Sequence, residues 1–161
     1  MEPDHCIMAD TVDKETRSRM MAAIRGKDTK PEMVLRKALH ARGFRYRLHG
    51  KGIYGKPDLV LRKFNTVVFV HGCFWHQHSG CRYSSIPSSN RDFWLNKLNS
   101  NVARDQAVVN KLLESGWRIA TVWECSLKTQ NDIDISVEKL AEWLKSSNSI
   151  LEIPSSTSYL E

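Results

Sequence analysis

The sequence predicts an α/β domain in which a mixed β-sheet carries helices packed against it. The apolar positions change period along the chain. They follow helical spacing before Gly43, form short continuous runs at 57–61 and 66–70, and return to helical spacing beyond Asn90. Turn signals rich in Gly, Asn and Ser separate those segments. A chain of 161 residues is also long enough to bury one real hydrophobic core. The resulting order, α-α-β-β-β-α-β-α, is an α/β sandwich.

Residues 1–12 lack periodicity and are expected to form a flexible arm, with Met1 and Met8 both open as the natural start. Asp13 can cap a helix from Lys14 to Arg25. A second helix starts at Thr29, where T-K-P-E reads as a capping box with Pro31 in the first turn. Its stripe is Val34, Leu35, Ala38 and Leu39, and Gly43 closes it. FRYRL (44–48), PDLVL (57–61) and TVVFV (66–70) then read as a meander of three short strands, turned at 50–55 and at KFN (63–65). A polar loop follows at 79–90. A long helix from Arg91 to Glu114, a strand at 117–125 and an amphipathic helix at Ile135–Leu144 complete the domain, 13–145. The tail 146–161 is Ser-rich and weakly patterned, and is expected to be disordered.

Composition narrows the function. No apolar run is long enough to span a membrane, and no basic segment followed by an apolar one opens the chain as a secretion signal would. The net charge is +6, and it is unevenly placed. Lys14–Lys56 holds 13 Lys/Arg against 3 Asp/Glu, or +10, which leaves 11 against 15, or −4, for the rest. A basic half joined to a mildly acidic one suits a polyanion such as nucleic acid.

The stretch VVFVHGCFWHQHSGC (67–81) gathers three histidines, two cysteines and the pair Phe74-Trp75 at the end of an apolar strand. Four cysteines in a chain of this kind suggest metal binding or free thiols rather than a disulfide framework. Cys73, His78 and Cys81, with Cys125 at the end of a distant strand, make a Cys3His set suited to a closed, structural zinc site, with His76 as an alternative to His78. Read singly, Cys73 and Cys125 are ordinary buried thiols. Cys6 is left without a role.

Three carboxylates stand out. Asp58 opens a core strand after Pro57, where turn formation is the commonest role. Asp105 falls within the apolar stripe Trp94, Leu98, Val102, Val109, Leu112 of the long helix, where a carboxylate needs a cation or hydrogen bonds. Glu32 has the capping box as its ordinary role. Together with free imidazoles at His71 and His76 they fit metal-dependent phosphodiester cleavage, in which carboxylates hold Mg²⁺ and a histidine acts as base.

GKPD (55–58), VFVHGCFWHQH (68–78), FW (93–94), NVARD (101–105), GWRIATVWEC (116–125) and the opening KETRSRMMAAI…DT…E (14–32) resemble the very short patch repair (Vsr) DNA mismatch endonucleases. The match runs over residues 8–145 in the same order. The resemblance implies a restriction-endonuclease-like mixed sheet flanked by helices, with a structural zinc site. It implies Mg²⁺-dependent nicking on the 5′ side of the thymine in T:G mismatches left by 5-methylcytosine deamination. Asp58 then corresponds to the Mg²⁺ ligand, and Val70 supplies its backbone carbonyl. His76 corresponds to the catalytic base, His71 and Asp105 to groups that position water and phosphate, and Glu32 to an outer carboxylate. The zinc set maps onto Cys73, His78, Cys81 and Cys125. Phe74, Trp75 and Trp94 correspond to side chains wedged into the DNA stack, and Met21 to a wedge from the other groove. Implied partners are double-stranded DNA with a T:G mismatch and other repair proteins, for a monomeric, cytoplasmic, nucleoid-associated bacterial enzyme. The wider nuclease superfamily follows its PD motif with an acidic residue and a lysine on the next strand; here that strand ends V-H-G, and the Vsr-like enzymes rely on histidines instead. The alternatives are a non-catalytic, zinc-stabilised DNA-binding module and a nuclease of the same fold with broader mismatch specificity.

Overall fold

The computed structural model describes residues 13–24 and 26–155. The arm expected at 1–12, Cys6 included, lies outside them. In chain order the elements are α1 (Lys14–Ala22), α2 (Lys30–Ala41), β1 (Arg47–Leu48), β2 (Leu59–Leu61), β3 (Thr66–His71), α3 (Arg91–Glu114), β4 (Arg118–Trp123), α4 (Gln130–Lys145) and β5 (Ile150–Ile153). The strands form one mixed sheet in the order β1-β2-β3-β4-β5. β1, β2 and β3 are an antiparallel meander, whereas β3, β4 and β5 run parallel. Parallel neighbours need crossovers, and α3 and α4 supply them.

Alternation along the strands decides which layer each residue feeds. Leu59, Leu61, Val68, Ala120 and Val122 pack with Leu35 and Leu39 of α2 and with Val137, Leu140 and Trp143 of α4. Val60, Val67, Phe69 and Ile119 meet Leu112 and the partly buried Val108 and Val109 of α3 on the opposite face. Helices therefore cover both faces of the sheet, and its central strands read as almost unbroken apolar runs.

Four expectations need correction. The segment at 146–161 contains β5: residues 150–153 pair with β4 over Ile119↔Ile150 to Val122↔Ile153. Arg118 secures the connection, donating to the carbonyls of Trp143, Leu144 and Asn148. Backbone pairing at a sheet edge leaves little side-chain pattern, which is why a Ser-rich stretch conceals it. α4 begins five residues before the expected Ile135, behind a Thr129–Asp132 capping box. α1 stops at Ala22, short of Arg25, and buries none of its residues. In α3, Val102 is exposed, and the inward face runs Trp94, Leu98, Asn101, Asp105, Leu112.

Gly55 shows how closely the 49–56 loop approaches α3. Its φ is +77°, and a Cβ there would lie 2.3 Å from Val108 Cγ1. Only glycine serves both requirements. This contact sets the loop that leads into Pro57 and Asp58.

Candidate active site and metal centre

A cleft of about 1150 Å³ opens at the C-terminal ends of β3 and β4 and is lined by residues of α1, α2, α3 and the loop after β3. Asp58 stands on its floor just before β2, and its Oδ2 accepts the backbone N–H of Val70 at 2.7 Å. Burial pushes the Asp58 carboxyl up to about 6; the Val70 N–H opposes that shift and neighbouring Glu32 adds to it. Such a group is short of positive charge.

Glu32 is only 4% exposed and combines two tasks. Its carboxylate accepts the Thr29 hydroxyl at 3.0 Å and the Asp28 N–H at 2.9 Å. The Thr29 side chain caps the helix through the Glu32 N–H, but Glu32 reaches back to the Asp28 N–H rather than to the Thr29 N–H of the expected capping box. It also pairs with Arg36 at 2.9 Å, and Arg36, 5% exposed, bridges to Asp28 at 2.6 Å. A buried arginine whose two terminal nitrogens pair with two carboxylates is a fixed point beside Asp58. The His49 ring approaches the same Asp28 at 3.5 Å, and the His49 backbone N–H donates to the Asp58 carbonyl.

His71 and His76 lie face to face, their rings stacked at 3.8 Å and 6°. His76 Nδ1 is 2.6 Å from Asp105 Oδ2. The inward position of Asp105 on α3 is thus satisfied by a histidine. Burial first, and the neighbouring His76 second, hold His71 down to about 3, with Asp105 opposing. His71 is therefore neutral at ordinary pH, as a stacked pair of imidazoles requires of at least one member.

Beyond the strand ends the four ligand atoms of Cys73, His78, Cys81 and Cys125 lie within 4.8 Å of one another. His78 Nδ1 is 3.4 Å from Cys125 Sγ and 3.8 Å from Cys73 Sγ. Contact with Cys125 and burial drive the Cys73 thiol far above its usual range. Three sulfurs and an imidazole converging in a closed pocket fit a tetrahedral cation of the zinc kind. His76 does not enter this cluster. His71, His76 and Asp105 form a separate one.

The aromatic side chains cluster at one side of the cleft. Trp94 is the hub, 9% exposed, with Phe74 at 5.4 Å, Phe93 at 5.4 Å and Trp75 at 6.1 Å. Trp75, Trp94 and Met21 line the cleft, along with the cations Lys14, Arg17, Lys97 and Arg104. A positive rim surrounds a carboxylate and histidine floor.

Several residues escaped sequence reasoning. Asn101 donates from Nδ2 to the Trp75 carbonyl at 3.0 Å, and Glu124 Oε1 accepts the Cys73 N–H. Arg36 gave one legible signal, its i,i+4 spacing from Glu32. Phe93, 58% exposed, sits beside the predicted Trp94.

Comparison with known proteins gives the family to which the chain is similar. Residues 9–82 match the family model described as DNA mismatch endonuclease Vsr. The chain is 48% identical over 123 residues to the type II nicking enzyme V.NmeAIP of Neisseria meningitidis, covering 76% of this chain and 87% of that one. It is 41% identical over 135 residues to the type II nicking enzyme V.XorIIP of Xanthomonas oryzae, covering 84% and 98%. It is also 40% identical over 139 residues to the DNA mismatch endonuclease Vsr of Escherichia coli, covering 85% and 88%.

Proposed function

The chain belongs to the Vsr family of DNA mismatch endonucleases, and we propose that it nicks one strand of a duplex on the 5′ side of the thymine in a T:G mismatch, with Mg²⁺ in the cleft and a structural zinc beside it. The observation that carries this reading is the floor of the cleft. Asp58 and Glu32 lie next to the His71–His76–Asp105 cluster, beneath a rim of cations and aromatic rings.

The residues fit both metals. Asp58 is a buried carboxyl with Glu32 nearby, a hard oxygen site that a small dication would relieve. The Cys3His cluster is chemically a zinc site. Mg²⁺, when bound through Asp58 and the Val70 carbonyl, would stabilise charge on the attacking and leaving oxygens of an in-line displacement.

The chain's own groups do the rest. The Asp105 carboxylate accepts from His76 Nδ1–H, which fixes the tautomer and leaves Nε2 as the acceptor for a proton from the attacking water. Neutral His71 stacks on His76 and holds its plane while positioning water and phosphate. Lys14, Arg17, Lys97 and Arg104 surround the phosphate path. Phe74, Trp75 and Trp94 enter the stack from one groove and Met21 from the other, with the unstacking cost least at a mispair. A mismatch is asymmetric, so a monomer suffices. The setting is the DNA-bearing cytoplasm of a bacterium, with other repair proteins as partners.

The test is a nicking assay on three duplexes differing at one pair, T:G, T:A and C:G, with Mg²⁺ and an Asp58→Ala control. The expected result is a nick confined to the thymine strand of T:G and lost in the control. Binding that survives in both proteins without any nick would instead leave a zinc-stabilised DNA-binding module. Nicking of other mispairs would point to broader specificity.

A further inference from the structure

Trp123 connects three parts of the molecule that the cleft alone does not join. It is the last residue of β4, nearly buried, and stands opposite His71 in the parallel β3–β4 register. The His78 ring of the sulfur cluster stacks on its indole at 4.3 Å and 10°. The His71 ring meets the same indole edge to face, at 5.3 Å and 72°. The indole N–H donates to Glu152 Oε1 at 2.7 Å. Glu152 lies on β5, in the segment that sequence patterning leaves as a loose tail.

We propose that Glu152 and Trp123 are a positioning pair that sets the plane of the His71–His76 stack from outside the cleft and couples it to the zinc loop. An indole held only by packing can rock about its χ2 angle. The hydrogen bond to a carboxylate removes that freedom, because a buried N–H that leaves its acceptor is unsatisfied. Two imidazoles rest on this one ring, so its plane is transmitted to both. His71 in turn stacks on His76, whose Nδ1 is anchored at Asp105. The His76 ring is thereby fixed from two directions, by Asp105 through a hydrogen bond and by Trp123 through His71. The action of Glu152 passes through Trp123 and His71.

The kinetic part of the test rests on the nicking reading above; the spectroscopic part does not. Three full-length variants are compared with the unaltered protein, all zinc-loaded. Glu152→Leu removes the acceptor, Glu152→Gln keeps an acceptor oxygen, and Leu151→Ala weakens β5 without touching the indole. Histidine ring NMR of the free protein should show shifted His71 and His76 signals in Glu152→Leu, near-native signals in Glu152→Gln, and none displaced in Leu151→Ala. With mismatched duplex, Glu152→Leu should lose kcat by on the order of tenfold to a hundredfold, as expected of a reacting group misplaced by an ångström or less, with KM unchanged. Glu152→Gln should recover most of that loss, and zinc content should match throughout. Unmoved histidine signals in Glu152→Leu, or an equal kcat loss in Leu151→Ala, would overturn the proposal and leave Glu152 a strand stabiliser. If the unaltered protein itself fails to nick, the functional reading falls and the NMR comparison alone decides the positioning role.

Discussion

Replacing Asp105 by asparagine tests the proposed base with little change of shape. The carboxylate lies 2.6 Å from His76 Nδ1, just below the ~2.7–2.9 Å of charge-assisted N–H···O bonds and so a close contact of that kind. Two outcomes bracket the cost. If the asparagine turns its carbonyl toward Nδ1–H, the tautomer is kept and the loss is that of one charged hydrogen bond, about 1.5–3 kcal/mol. That is roughly 10- to 150-fold in rate. If it turns its amide toward Nδ1, the proton moves to Nε2, the nitrogen that should accept from water, and the cost approaches the ~10⁴-fold known for a mis-set tautomer in a serine protease triad. Single-turnover nicking of a T:G duplex separates this from binding. Asp105 lines the cleft, and removing its negative charge cannot weaken attraction for a polyanion, so affinity should hold or rise. A kcat equal to that of the unaltered protein, or a loss confined to KM, would refute the assignment of His76 as base.

Asp58 should impose an acid limb on nicking. Its carboxyl is raised to about 6, and only the anion takes a dication, so at low Mg²⁺ the rate should fall about tenfold per pH unit below that point. Raising Mg²⁺ should shift the limb to lower pH, because metal binding releases the proton, and rate–pH profiles at two Mg²⁺ levels check the sign. Cys81→Ser should release zinc to a chelator far more readily, by on the order of 10- to 100-fold in affinity or more, as metal analysis after dialysis would show. Gly55→Ala should destabilise the fold by roughly 1–3 kcal/mol through overpacking against Val108 and its positive φ, visible in thermal denaturation and only partly relieved by Val108→Ala.

The parts of the molecule that were legible are those whose physics is local. The Thr29 cap and the apolar strands within 57–61 and 66–70 follow from neighbouring residues, and the long helix to Glu114 from its periodicity, so these appear as read. The Cys3His set was legible because ligand chemistry restricts the residue types. Spacing alone left His76 as an alternative to His78, the family resemblance favoured His78, and the structure puts His76 in the separate cluster with His71 and Asp105. The Asp105–His76 pair spans 29 residues and was legible only as an unexplained carboxylate on an inward face. Arg36 was hidden by its resemblance to any surface helix arginine, although its burial between Asp28 and Glu32 shapes the charge near Asp58. β5 was hidden because its stability comes from pairing with β4 and from Arg118 securing the turn before it.

The interleaving within residues 72–81 gives the proposed zinc a mechanical task. Phe74, Trp75 and His76 lie between Cys73 and His78, so the proposed wedge and the proposed base share one short loop bracketed by two ligands. The loop is tightly wound, with His76 N–H on the Gly72 carbonyl, Gln77 N–H on Phe74, and His78 N–H on Cys73. Pushing rings between base steps costs a few kcal/mol per step, and an equal reaction falls on the loop that inserts them. Without a fixed attachment that reaction would displace His76 along with the rings, separating the base from the phosphate as the mispair opens. Cys125 anchors the bracket to the end of β4, the neighbour of the strand that carries His71. A zinc ion held by the cluster would allow the proposed insertion and proton transfer to act from the same ten residues without disturbing each other, and partial loss of zinc should then slow the chemical step before it weakens binding to DNA.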